Sequence, residues 1–212
     1  MSIYLYGLQR SGTNVLTDFL KNNYNIKIHN ENTDDRNSIQ HKHCRIYDNK
    51  EFIPNTDVTK QYYNEYLIDN LNQLDYLLGD KTNSNKYIVV YKDIFQWLPS
   101  INEWANKCNW VTKDKMGFVN DYKEFIKKWK QIKNERVLFI SYIEYLNLIV
   151  NNDNKLPNKI EYFLNCKKKN SFLFSNKAGY SDVFTKKKID YYVNKRYMDL
   201  YTNEEIKLFN SI

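Results

Sequence analysis

Apolar positions change period several times along this chain, and each change marks an element. Ile3 to Tyr6 is a short continuous apolar run, enough for one buried strand. After Gly7 and Gly12 the spacing becomes helical, with Val15, Leu16, Phe19 and Leu20 on one face. Tyr24-Asn25-Ile26-Lys27-Ile28 alternates and predicts a second, shorter strand, followed by a polar, loop-like stretch from His29 to Asn37 and a turn region around Asp48 to Pro54. Tyr63, Leu67, Leu71, Leu74 and Leu78 form a stripe that predicts a helix over Gln61 to Leu78, with Gly79 in the C-cap position. Lys86 to Tyr91 holds the β-branched and aromatic run of a central parallel strand, and a helix carrying Trp97, Ile101 and Trp104 follows. A further helix from about Gly117 to Lys133, with Phe118, Tyr122, Phe125, Ile126 and Trp129 on one side, leads into a strand from Arg136 to Ser141. The last third reads as short helices around Pro157 to Cys166, a loop at Phe172 to Tyr180 and a helix from about Thr185 to Tyr201. The final helix opens with Thr202 and Glu205 at capping-box spacing.

Strand and helix thus alternate. The expected fold is α/β, a three-layer arrangement with a mostly parallel central sheet and a helical C-terminal third, its ligands at the C-terminal ends of the strands. With 212 residues, 42% of them hydrophobic, the chain can bury a core as a single domain spanning residues 1–212. A net charge of +7 favours anionic ligands, of which a nucleotide carrying several phosphates is one and nucleic acid another. The lysine clusters at 167–169 and 186–188 read as solvated faces. Cys44, Cys108 and Cys166 are widely spaced and unpaired in pattern, which points to a reducing compartment and no zinc site. The first residues run directly into the first strand and no segment approaches the length of a membrane span, so a soluble, cytoplasmic protein without a membrane partner is expected.

The chemistry concentrates in the first turn. A strand that turns tightly into a helix leaves the first helical N–H groups pointing into the turn, where they attract an anion. Arg10 adds a fixed positive charge there, and Ser11, Thr13 and Asn14 add neutral donors around Gly12, so phosphate or sulfonate is the expected ligand. The Gly7 to Gly12 spacing matches the start of a nucleoside-triphosphate P-loop, but Thr13 stands where that motif needs lysine, which disfavours ATP and GTP.

Gln9-Arg10-Ser11-Gly12-Thr13-Asn14 resembles the 5′-phosphosulfate loop of sulfotransferases that use 3′-phosphoadenosine 5′-phosphosulfate, in which a basic residue precedes Ser-Gly-Thr. The family's second signature, a basic residue ending a strand with Ser eight positions later, is matched by Lys92 and Ser100, with Lys in place of Arg. Asp93 to Ser100 is similar to the Asp-Pro-x-x-Trp-x-x-Ser form found in some members. The resemblance implies a P-loop-like fold in which Arg10, Ser11, Gly12, Thr13 and Asn14 hold the phosphosulfate and Lys92 and Ser100 the 3′-phosphate. It further implies Tyr142, after the third strand, near the adenine, and Lys177 in a loop resembling the one that closes on the 3′-phosphate. The catalytic histidine of the family lies in a Lys-x-His stretch before the strand that carries the 3′-phosphate residue. His41-Lys42-His43 occupies that region, giving His43 as the base and His41 as the alternative.

The activity implied is transfer of a sulfonate to a hydroxyl acceptor, whether small molecule, glycan or peptide, with Arg10 as electrostatic partner and no metal. Two other readings stay open on the residues alone. One is a P-loop kinase of small molecules. The other is a non-catalytic nucleic-acid or polyanion binder that uses the positive charge, with nucleic acid the less favoured partner.

Overall fold

A computed structural model describes residues 2–31, 38–46, 68–109, 115–169, 172–174 and 185–211. Its described elements are β1 (Ile3–Tyr6), α1 (Thr13–Asn23), α2 (Leu71–Leu77), β2 (Lys86–Tyr91), α3 (Ile94–Lys107), α4 (Lys115–Gln131), β3 (Val137–Ser141), α5 (Tyr142–Asn151), α6 (Lys155–Leu164), α7 (Lys186–Val193), a 3₁₀ turn (Arg196–Leu200) and α8 (Asn203–Asn210). This is a mixed α/β fold with a small parallel sheet and a helix-rich C-terminal region. The strands lie in the order β1-β2-β3, both pairings parallel, with Tyr4 opposite Tyr87 and Tyr91 opposite Ser141. Because all three run the same way, Gly7, Lys92 and Tyr142 leave the sheet along a single edge.

The middle of the central strand is apolar because it is covered on both faces, and Tyr87, Ile88, Val89 and Val90 are wholly buried. Each such side chain contributes about 1.5–3 kcal/mol by leaving water. Tyr4, Tyr6 and Tyr87 share one face, where Tyr6 and Tyr87 meet Trp129 of α4, whose ring centroid is 5.2 Å from that of Tyr6. Strand alternation turns Leu5, Ile88 and Ile140 the other way, and Phe19 of α1 packs edge-on against Tyr145 of α5. The buried apolar residues form one continuous cluster. Beneath it, Asp75 of α2 accepts from the Tyr87 hydroxyl and pairs with Arg136, anchoring the start of β3 to α2.

Several expectations hold nearly to the residue, among them β1, α1, β2, α3, α4, β3 and the capping box of Thr202 and Glu205, whose reciprocal bonds are both made. Gly79 follows α2 at φ 79°, the left-handed position expected of it. Others are corrected. No strand forms over Tyr24 to Ile28. A single bridge joins Ile28 to Ile3, and the outer edge of β1 is paired instead by the His29 N–H and by the Asn30 amide, which binds both the N–H and the carbonyl of Leu5. A side-chain amide here does the work of a neighbouring strand, which period-two patterning cannot register. The helix expected from Gln61 to Leu78 is not continuous: Ile68 to Asn70 are non-helical, and Asn70 caps a fresh start by accepting from the N–H groups of Asn72 and Gln73. Its first part, residues 61–67, lies outside the described residues, as do the turn region 48–54 and Lys177. The helix expected over Thr185 to Tyr201 breaks after Val193, where Lys195 adopts φ 53°. Helix α5, begun by a capping box of Ser141 and Glu144, was not expected at all, because its apolar residues merge with those of β3.

Candidate functional site

The first turn is built by close approach. A Cβ on Gly7 would lie 2.6 Å from the Val90 carbonyl oxygen and 2.7 Å from Thr13 Cγ2, so only glycine lets β1, β2 and the start of α1 come together. Arg10 sits at φ 68° and Gly12 at φ 94°, two left-handed residues that curl the backbone around the start of α1. No side chain caps that helix. Ser11 and Thr13 are buried, and the Asn14 side chain accepts from Lys42 Nζ at 2.7 Å. Gly12 also backs onto Tyr142, since a Cβ there would stand 2.6 Å from the ring. Gly12→Ala should therefore cost about 1–3 kcal/mol, from left-handed strain and overpacking together, visible as a lowered urea midpoint with unchanged m.

Arg10 and Ser100, distant in sequence, meet: Arg10 Nε donates to Ser100 Oγ at 3.4 Å, and its guanidinium lies 4.9 Å from the Trp104 ring centroid. Lys92 is close enough to feel the Arg10 charge. Its Nζ donates to the Tyr192 hydroxyl at 3.2 Å and is flanked by the rings of Tyr142 and Tyr192, at 4.6 and 4.8 Å. Tyr142, 3% exposed, thus spans the space between Gly12 and Lys92. Burial, and next the charges of Arg10 and Lys188, lower the Lys92 pKa to about 7.

The histidine segment docks on the same turn. The Gly7 N–H donates to the Lys42 carbonyl at 3.0 Å, and His43 Nδ1 lies 2.7 Å from the Gly7 carbonyl. A carbonyl only accepts, so the neutral ring carries its proton on Nδ1 and its basic lone pair on Nε2. His41 differs: its Nδ1 accepts the His43 N–H at 3.1 Å, which places its own proton on Nε2. Of the two, His43 has the tautomer a base needs. Burial above all, against the Gly7 bond and with added repulsion from Lys42, His41 and Arg45, lowers the His43 pKa to about 3, so the ring is neutral at any working pH.

Three supporting residues, Arg45, Asp121 and Tyr192, are not marked by motif or spacing. Trp97 Nε1 donates to the Gln9 carbonyl at 2.7 Å, and the Gln9 side chain accepts from Arg45, which pairs with Asp121 at 3.0 Å. Arg45 and Asp121 are both buried. Their signal was present: Asp121 is a carboxylate within the apolar stripe of Phe118, Tyr122 and Phe125, and such a residue calls for a cation. Tyr192 had no comparable sign. Among the described residues no group of three His, Cys, Asp or Glu side chains is placed to hold a metal. Nor is any described helix long and apolar enough to cross a membrane. No protein-family model, no curated protein and no solved structure matches the chain.

Proposed function

We propose that this chain is a sulfotransferase that moves a sulfonate from 3′-phosphoadenosine 5′-phosphosulfate to a hydroxyl acceptor, on a P-loop-like nucleotide-binding fold. The observation that carries the reading is the 3.4 Å approach of Arg10 to Ser100 beside the buried Lys92 ammonium, which gathers cations and a hydroxyl from two strand ends. The residues suit the donor. The uncapped start of α1 with Arg10, Ser11, Thr13 and Asn14 suits its 5′ end, and Lys92 with Ser100 suits its 3′-phosphate. When bound, the donor supplies a sulfonate activated by its phosphate leaving group.

The chain's own residues then have distinct tasks. Arg10 remains charged throughout and acts by electrostatic attraction. His43 receives the acceptor's proton on Nε2, and negative charge brought into the turn raises the proton affinity that burial and neighbouring cations depress. Lys42 brings a further cation to Asn14. Tyr142 walls the space between the two ends, and Lys177 is retained as a candidate closing residue. The acceptor is a small molecule, a glycan or a peptide.

Thermal stabilisation tests the reading. Adenosine 3′,5′-bisphosphate at a hundredfold excess over its Kd should add about 2.7 kcal/mol, several degrees of Tm, and more than adenosine 5′-phosphate or ATP with Mg²⁺. A larger shift with ATP and Mg²⁺ would favour a kinase. Stabilisation by unrelated duplexes, steeply salt-dependent, would favour a polyanion binder.

Lys92 gives the site a pH signature. Its amine is protonated up to about pH 10.5 in the unfolded chain but only to about pH 7 in the fold. The folded chain therefore holds fewer protons between those values. The cost of burying the charge is fully present below pH 7 and is relieved as pH rises. A bound phosphate restores the proton, so bisphosphate affinity should begin to fall near pH 7 and approach a tenfold loss per pH unit above about pH 8. Lys92→Met should remove that slope and weaken binding roughly 10–100-fold, while leaving the protein at least as stable at neutral pH.

A further inference from the structure

Lys92 is 5% exposed, and one of the two rings against its ammonium comes from the C-terminal helices. The Tyr192 hydroxyl accepts from Lys92 Nζ at 3.2 Å, its ring covers the ammonium, and the Tyr142 ring lies against an adjacent side, the two rings meeting edge to face at 5.5 Å. Nearby Ser100 partly offsets the burial that pushes the phenol up to about 12. Ser100 in turn accepts from Arg10. Lys92 thus already holds an oxygen in the neighbourhood of Ser100, and that oxygen belongs to the chain itself.

We propose that Tyr192 is an internal occupant of the phosphate position at Lys92 and Ser100, and that its hydroxyl must withdraw before a 3′-phosphate can bind there. This deepens the reading above and rests on it for the identity of the ligand. The neutral phenol is a fitting stand-in. At pH 7 it accepts a bond from Lys92 without adding negative charge, so the occupant is held by weak forces that a phosphate dianion, with charge-assisted bonds to the same donors, outcompetes. Tyr192 lies in the last turn of α7, the chain breaks from helix at Asn194 and Lys195, and a side-chain rotation there opens Lys92 without unpacking the sheet. The site consequently discriminates. A nucleotide with a 3′-phosphate must displace Tyr192, whereas one with a 5′-phosphate alone leaves it in place.

Tyr192→Phe keeps the ring over Lys92 and removes only the competing oxygen. Calorimetric titration of wild type and Y192F with adenosine 3′,5′-bisphosphate, adenosine 5′-phosphate and inorganic phosphate separates the outcomes. The proposal expects the bisphosphate to bind Y192F about three- to tenfold more tightly than wild type, with adenosine 5′-phosphate unchanged. Equal or weaker bisphosphate binding by Y192F overturns it, since the hydroxyl would then be idle or a donor to the ligand, while the sulfotransferase reading stands. Tighter inorganic phosphate on Y192F, with no bisphosphate binding by either protein, supports the occupied site and overturns the sulfotransferase reading. Absence of binding of all three by both folded proteins overturns both. Ser100→Ala serves as control and should weaken bisphosphate binding in either background.

Discussion

Replacing His43 by Asn should lower sulfonate transfer by roughly 10²–10⁴-fold, the usual contribution of a positioned general base, while changing bisphosphate affinity little. Asn is the informative substitution because its amide nitrogen can take over the bond that His43 Nδ1 makes to the Gly7 carbonyl. The turn stays anchored and only the lone pair on Nε2 is lost. His41→Asn is the companion experiment. Its Nδ1 is engaged by the His43 N–H, so the loss there should be smaller and traceable to a displaced His43. Transfer of labelled sulfonate to a panel of phenols, sugars and peptides provides the readout. Equal losses in both variants would remove the distinction drawn from the tautomers. The depressed His43 pKa adds a stability effect. The ring is neutral in the fold down to about pH 3 but protonates near 6.5 in the unfolded chain. The unfolded chain therefore binds the extra proton between those values, and stability is lost as pH falls through that window.

The second large effect concerns Arg45 and Asp121. Both are buried, they pair at 3.0 Å, and Arg45 also holds Gln9 of the first turn. Removing one partner strands the other charge away from water, so Asp121→Asn or Arg45→Met should cost about 3–5 kcal/mol. In a chain of this length that lowers Tm by roughly 6–20 °C. Replacing both residues with apolar ones of similar volume should recover much of the loss, since the desolvation penalty disappears with the charges. The double variant should nonetheless bind bisphosphate less well than its stability suggests, because Gln9 loses the bond that steadies the turn. A double-mutant cycle on urea midpoints measures the coupling, and purely additive losses would contradict it.

What could be read in the sequence was what depends on neighbours in the chain. The strand, two glycines and amphipathic helix of residues 3–20 are a local pattern, and the steric reasons for Gly7 and Gly12 are the Val90 carbonyl and the Tyr142 ring. The spacing of Lys92 and Ser100 across the start of α3 is likewise local. What stayed hidden depends on partners far away. Asn30 supplying the edge of β1, Arg45 reaching Asp121, and Tyr192 settling on Lys92 each join segments separated by 25 to 100 positions. Hydrophobic period carries no trace of them. Asp121 alone left a clue, as a charge set in an apolar face.

The proposed site holds one bisphosphate nucleotide between Arg10 and the Lys92–Ser100 pair. It is tested most directly by titrating wild type with adenosine 3′,5′-bisphosphate at pH 8 in two buffers of different ionisation enthalpy. The expected result is saturable binding of one nucleotide per chain with net uptake of a proton by Lys92. No binding heat from folded protein, or binding without proton uptake, would contradict it.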